Sequence, residues 1–165
     1  MSVLGLGVDI VEIERMKLAL ERTPRLRERV FSEDERWYCE HKARPYVHYA
    51  MRFAAKEAVL KALGTGFSGM RFRDVEVVRE NNGRPTPQLS GRAAERAAEL
   101  GVVEMHLSLS FTHTTAVASA VAITEDVRPR KDQRPDPKAQ LAASFKEARA
   151  LLDETPAERP ADESE

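Results

Sequence analysis

Apolar and polar positions along the chain fall into runs with distinct periods, and those runs predict the elements. Val3 to Val11 is a short run rich in branched residues and predicts a strand. Gly5 and Gly7 occupy alternate positions in it, marking a place where another backbone approaches closely. Asp9 is the first charge after that apolar start. Glu12 to Glu21 has helical character, and Pro24 breaks it. Ser32-Glu33-Asp34-Glu35 forms a capping box, in which the serine hydroxyl takes the Glu35 amide and the Glu35 carboxylate returns to the serine amide. A helix through about Glu40 follows. Pro45 suits a first helical turn, and Tyr46 to Leu63 runs on without a breaker until Gly64, a fitting C-cap.

In the second half the period shortens. Asp74 to Arg79 is strand-like, Asn81-Asn82-Gly83 signals a hairpin turn, and Pro85 and Pro87 confine the return segment to an edge. Ser90 is placed to cap a short helix ending near Gly101. From Met105 the pattern has period two: Met105, Leu107, Leu109 and Phe111 share one face, and His106, Ser108, Ser110 and Thr112 the other. Thr112 to Thr115 turns the chain into a partner strand over Ala116 to Ile123, whose alanines at 116, 118, 120 and 122 leave room for close packing.

After Thr124 the composition shifts, with five of the nine prolines in residues 125–165 among charges of both signs. We therefore divide the chain into a domain over 1–125 and a charged, proline-rich extension over 126–165. Asp136 and Pro137 can start a helix in it, over 137–153, with Leu141, Phe145, Ala148 and Leu152 on one face. The last ten residues predict disorder.

Charge narrows the function classes. The 165 residues carry 26 basic and 27 acidic side chains, which argues against a general nucleic-acid binder. Cys39 is the single cysteine, so an intramolecular disulfide and a zinc-cysteine cluster are excluded and a cytoplasmic location is expected. The longest uncharged stretch, Met105 to Thr124, holds two histidines and many hydroxyls, and no membrane anchor is expected. A locally basic segment does stand out, with Arg15, Lys17, Arg22, Arg25, Arg27 and Arg29 against Glu21 and Glu28. By default it is a solvated surface.

Within the long helix, the wheel puts Glu57 in the stripe of Tyr46, Ala50, Phe53 and Leu60, with His48, Arg52 and Lys56 on the ordinary polar face. A carboxylate there needs a partner, since burying it unpaired costs several kcal/mol or forces it to take up a proton. Lys61 at i+4 is one candidate; a divalent ion shared with a second carboxylate is the other. Asp9 is either that second ligand or a helix N-cap. Two acids without a histidine cluster fit Mg²⁺, which takes oxygen ligands and typically uses one or two carboxylates.

Gly5-Leu6-Gly7-Val8-Asp9 resembles the first signature of the 4′-phosphopantetheinyl transferases, and Phe53-Ala54-Ala55-Lys56-Glu57-Ala58-Val59-Leu60-Lys61 resembles the second. Arg52 before it and Ala62-Leu63-Gly64-Thr65-Gly66 after it are similar to the short, synthase-type branch of that family. Asn82-Gly83-Arg84-Pro85 and Ser110-Phe111-Thr112-His113-Thr114 resemble its later motifs, in the same order. The resemblance covers about Val3 to Ile123.

The resemblance implies an α+β fold, with a small antiparallel sheet packed against a long central helix. It implies transfer of the 4′-phosphopantetheine arm of coenzyme A to a serine of an acyl carrier protein, in fatty acid biosynthesis, with release of adenosine 3′,5′-bisphosphate. Asp9 and Glu57 would hold Mg²⁺, Glu57 and Lys61 would serve the chemistry, and Arg52, Lys61, Gly64, Asn82, Gly83 and His113 would meet coenzyme A. Without the resemblance, His113 reads as an exposed turn residue. Because acyl carrier proteins are strongly acidic, Arg15, Arg22 and Arg25 become a docking face. The resemblance also implies a homotrimer with active sites between subunits, and it assigns nothing to the extension.

Overall fold

The computed structural model describes residues 3–66, 69–125 and 137–154. Three strands form the main sheet: β1 (Val3–Glu12), β4 (Val102–Phe111) and β5 (Thr115–Thr124), in the order β1-β5-β4 and antiparallel throughout. The expected hairpin is β4–β5; β1 joins it from the far end of the chain, pairing Gly7 with Ala120 and Asp9 with Ala118. Period two then sorts the sheet into two faces. Gly5, Gly7 and Asp9 share one with Ala116, Ala118, Ala120 and Ala122, whereas Leu4, Leu6, Val8 and Ile10 share the other and are exposed.

The small-residue face receives α4 (Pro45–Ala62), the long helix, and the fit explains the glycines. A Cβ at Gly5 would lie 1.9 Å from the Ala62 carbonyl oxygen, and one at Gly7 would lie 1.8 Å from that of Ala58. Helix backbone thus rests directly on strand backbone, and the alanines of β5, all fully buried, allow the same approach beside it. This contact fixes Asp9, two positions beyond Gly7, against the middle of α4.

Helices α1 (Ile13–Arg22), α2 (Arg25–Val30) and α3 (Glu33–Glu40) pack Ile13, Met16, Leu20, Val30 and Cys39 with Phe31 and Tyr49 into a second core on the other side of α4. The capping box of Ser32 and Glu35 forms as expected. A 3₁₀ turn at Phe72–Asp74 leads into a separate two-stranded sheet, β2 (Val75–Arg79) with β3 (Pro85–Leu89). Gly83, at φ +83°, supplies the turn between them. Ser90 precedes α5 (Gly91–Glu99), but its side chain makes no capping bond there.

The wheel reading of α4 needs correction. Arg52 and Lys56, expected on a polar surface, are only 4% and 0% exposed, while Glu57 is half-buried. The helix is wrapped on several sides, so no face of it is an ordinary solvated one. Lys56 is buried because neighbouring elements bring it Glu35 and two backbone carbonyls. The chain divides into two compact units, Met1–Arg128 and Pro129–Glu165. The second contains α6 (Pro137–Glu154). The expected Asp136 cap and the disorder of the last ten residues lie outside the described residues. Among those described, no helix is long and apolar enough to cross a membrane.

Candidate active site

Period two points Asp9 toward α4, and the helix presents Glu57 and Lys61, one turn apart, at the same level. Lys61 Nζ lies 2.9 Å from Asp9 Oδ1 and 2.9 Å from the Val8 carbonyl oxygen. Of the two partners open to Glu57, Lys61 or a shared divalent ion, Lys61 gives its hydrogen bond to Asp9 instead. Strand β1 reaches the ammonium from across the sheet contact, and its carbonyl and carboxylate offer two acceptors together. Glu57 feels Lys61 only as a nearby charge. Burial and the negative charge of Asp9 hold the Glu57 carboxyl above its usual range, and Lys61 offsets part of that.

Asp9, Glu57 and Arg15 line one cavity of about 660 Å³. Its walls are otherwise largely apolar, with Met16 and Ala19 from α1, Leu26 and Val30 from α2, Phe53 from α4 and Phe72 from the 3₁₀ turn. The Phe53 and Phe72 rings lie 5.1 Å apart, centroid to centroid. No group of three or more His, Cys, Asp or Glu side chains gathers at metal-binding distance among the described residues. What the cavity offers an ion is a pair of hard oxygen donors crowded enough to raise one carboxyl. That donor set fits Mg²⁺, whose remaining positions are commonly filled by water and phosphate oxygens.

A second cavity, of about 450 Å³, opens on another face of α4 and shares no lining residue with the first. Tyr38, His48, Arg52, Arg79, Ser108 and Ser110 line it, with apolar residues and no acid. Three cations crowd one ring: Arg52 Cζ is 4.0 Å, Lys42 Nζ 4.5 Å and Arg79 Cζ 5.5 Å from the Tyr38 centroid. Arg52 Nε and His48 Nδ1 are buried without a hydrogen-bond partner. Burial, then Arg52, Lys42 and Arg79, lower the pKa of His48. Positive charge gathered around a hollow that no acid lines suits a phosphate-bearing anion.

The structure thus gathers Asp9, Glu57, Lys61 and Arg15, and puts Arg52 elsewhere. Arg22 joins Arg15 around a shallow hollow on the outer side of α1, and Arg25 opens α2, exposed. Gly64, at φ +70°, follows α4. Asn82 and Gly83 form the exposed β2–β3 turn, where the Asn82 amide donates to Glu80 and its oxygen accepts from the Arg84 amide. His113 is exposed in the β4–β5 turn. Sequence reasoning missed Tyr38, Lys42 and Arg79, which the fold brings together from α3, the following loop and β2. It also missed Glu35 as the partner of Lys56, at 2.8 Å. The capping box accounted for Glu35 locally, and no short-range signal pointed to its second role.

Residues 5–121 match the 4′-phosphopantetheinyl transferase superfamily. The holo-[acyl-carrier-protein] synthase of Moorella thermoacetica is 48% identical over 122 residues, 74% of this chain and 94% of that protein. Among solved structures, the holo-[acyl-carrier-protein] synthase of Neisseria meningitidis superposes with a TM-score of 0.68 at 29% identity, covering 74% of this chain and 100% of that one. That of Helicobacter pylori, in complex with coenzyme A, gives 0.64 at 28% identity, covering 72% and 99%. Sequence motifs, fold and relatives agree, and the chain belongs to the 4′-phosphopantetheinyl transferase superfamily.

Proposed function

We propose that this chain transfers the 4′-phosphopantetheine arm of coenzyme A to a serine hydroxyl of an apo-acyl carrier protein. The observation that carries the reading is one cavity lined by Asp9 and Glu57, with Lys61 hydrogen-bonded to Asp9, built from the first two signatures of the family to which the chain belongs. In the reaction, the serine oxygen bonds to the phosphorus that bears the pantetheine arm. The bond from that phosphorus to its bridging oxygen breaks, and adenosine 3′,5′-bisphosphate leaves. Such transfers depend on positioning and charge neutralisation more than on covalent help.

Each residue has a part that its position supports. Asp9 and Glu57 are the donors for Mg²⁺, which supplies neutralisation of the pyrophosphate charge when bound. Lys61, held by Asp9 and the Val8 carbonyl, offers its remaining N–H to the departing phosphate. Glu57 takes the serine proton directly or through a water. Arg52, His48 and the cations around Tyr38 receive a phosphate of coenzyme A, and Gly64, Asn82, Gly83 and His113 complete its contacts. Arg15, at the rim of the first cavity, with Arg22 and Arg25 beside it, docks the acidic carrier protein.

We further infer a homotrimer with composite active sites. Two features support it: the carboxylate cavity and the cationic cavity open on different faces of α4, and the outer sheet face exposes Leu6 at 64% and Ile10 at 64%. An apolar sheet face of this kind favours burial against another copy. The enzyme works in the cytoplasm in fatty acid biosynthesis, a placement supported by the single, free and buried Cys39. Residues 126–165 lie beyond the stretch that matches the family, which ends at 121.

One assay tests the main claim. Apo-acyl carrier protein, coenzyme A and Mg²⁺ are incubated with the full chain, and carrier mass is read by mass spectrometry. A gain of one phosphopantetheine, lost on adding a chelator, is expected; no gain on several carriers would overturn the assignment.

A further inference from the structure

Lys56 lies beside Glu57 in sequence, yet it faces away from the carboxylate cavity and is fully buried. Its ammonium sits 2.8 Å from Glu35 Oε2 and 3.2 Å from the Phe72 carbonyl oxygen, and it also donates to the Val75 carbonyl. Glu35 is equally committed. It accepts from the Val77 amide at 2.9 Å and from the Ser32 amide at 2.9 Å. Every acceptor of this network belongs to protein, so Lys56 has no capacity left for substrate. A buried ion pair is often no more stabilising than a well-packed apolar pair, so stability alone is weak grounds for one here.

What the ammonium holds is the informative part. The Phe72 and Val75 carbonyls bracket the 3₁₀ turn at Phe72–Asp74, a connection whose Phe72 ring forms a wall of the Glu57 cavity opposite Phe53. The flanking Arg71 and Arg73 are exposed and border an adjoining hollow of about 540 Å³ with Arg29. Leu26, Val30 and Phe72 are common to both spaces. The turn therefore stands between two spaces, one lined by Asp9, Glu12, Glu57 and Arg15 and the other by Arg29, Arg71 and Arg73. An acidic protein held on the arginine side can present a residue across the Phe72 edge to Glu57.

We propose that Lys56 is a positioning residue: it ties the Arg71–Asp74 turn to α4 and so sets Phe72, Arg71 and Arg73 for an acidic carrier protein whose serine enters the Glu57 cavity. This rests on the transferase reading above, since it names how that site receives its protein substrate. It acts through the turn and makes no contact with the reacting atoms. The position of the turn governs capture of the carrier: Arg71, Phe72 and Arg73 lie outside the lining of the Arg52 cavity, which the network meets at Val77.

The test is steady-state kinetics on the full chain with apo-acyl carrier protein and coenzyme A. Lys56→Met alone would strand Glu35 in the core, so it is paired with Glu35→Gln, which keeps a residue suited to the capping box. The paired variant is expected to raise KM for the carrier about tenfold, the scale of one or two lost hydrogen bonds, with KM for coenzyme A within about twofold. Phe72→Ala is expected to do the same, and adding it to the pair should change little further, because both act on one wall. A rise in both KM values alike, an unchanged carrier KM, or a triple variant equal to the product of its parts would each overturn the inference. Lys56→Gln, which keeps an N–H donor without the charge, carries the test if the pair does not fold; a wild-type carrier KM for it would count equally against. No transfer by the wild-type chain would sink the transferase reading itself, an outcome distinct from wild-type transfer with unmoved variants.

Discussion

Helix α4 serves two cavities that differ in almost every respect. On one side Glu57 faces Asp9, and crowding of like charge raises a carboxyl. On the other, Arg52 joins Lys42 and Arg79 around Tyr38, no acid lines the hollow, and the surrounding cations lower the pKa of a histidine. The two residues are five positions apart, about 140° around the helix at 100° per residue. One copy of the chain therefore turns its carboxylates and its phosphate-seeking cations in different directions. On the proposed reading, coenzyme A held by one set and activated by the other would be shared between two copies.

The sharpest way to break this comparison is to disable each cavity separately. On the proposed roles Glu57→Gln would remove a metal donor and the proton acceptor together, and it is expected to lower transfer by about 10³-fold or more, at saturating Mg²⁺. Arg52→Ala is expected to raise KM for coenzyme A by about 10- to 100-fold, as loss of a charge-assisted hydrogen bond does. Mixing the two impaired chains under conditions that exchange subunits, at coenzyme A well below the raised KM, should give more activity than the two chains kept apart, because some sites would combine an intact half from each. Absence of any recovery, with exchange demonstrated, would mean that both halves act within one copy.

The contact that lies between the cavities can be broken too. Gly7→Ala would force a Cβ to 1.8 Å from the Ala58 carbonyl oxygen, in a contact of backbone with backbone that has nothing flexible to yield. Destabilisation of about 3 kcal/mol is expected in denaturant unfolding, with Asp9 displaced from Glu57. A variant of wild-type stability would mean that strand and helix are not seated this closely.

The two cavities were also unequally legible in the sequence. The strand, the long helix, both hairpins and the capping box follow from local period and turn chemistry, and Gly5 and Gly7 announced the close approach that aims Asp9. Glu57 stood out as a carboxylate that needed a partner, although the wheel misjudged which residues of α4 are buried. A wheel supposes one solvated face, and α4 has none, because the main sheet and the α1–α3 helices pack around it. Tyr38, Lys42 and Arg79 could not be read, since their meeting depends on how α3 and β2 pack on α4. The pairing of Lys56 with Glu35 was hidden for the same reason.

Charge at the rim gives a smaller effect that separates the protein substrate from the small one. Arg15 borders the carboxylate cavity and is exposed. Arg15→Glu is expected to raise KM for the acidic carrier about tenfold at low salt while KM for coenzyme A barely moves. The difference should shrink as salt rises, because the partner is felt across solvent. Equal loss for both substrates would contradict a docking role.

The smallest effect probes the cationic cavity through stability and titration rather than turnover. His48 has a pKa below the ordinary 6.5 because it is half-buried beside Arg52, Lys42 and Arg79. Between the lowered value and 6.5 the unfolded chain takes up more protons than the folded one. The stability that neutral His48 permits is therefore complete above about pH 6.5 and is lost as pH falls through its lowered pKa. Solvent screens a half-buried ring, so the change should stay below about 1 kcal/mol. In His48→Gln that part of the stability–pH curve should flatten. A phosphate-bearing ligand in the cavity brings negative charge to the same cations, so adenosine 3′,5′-bisphosphate should raise the His48 pKa in an NMR titration. An unmoved His48, with the ligand bound, would place the phosphate outside this cavity and remove the anion site from one side of the comparison.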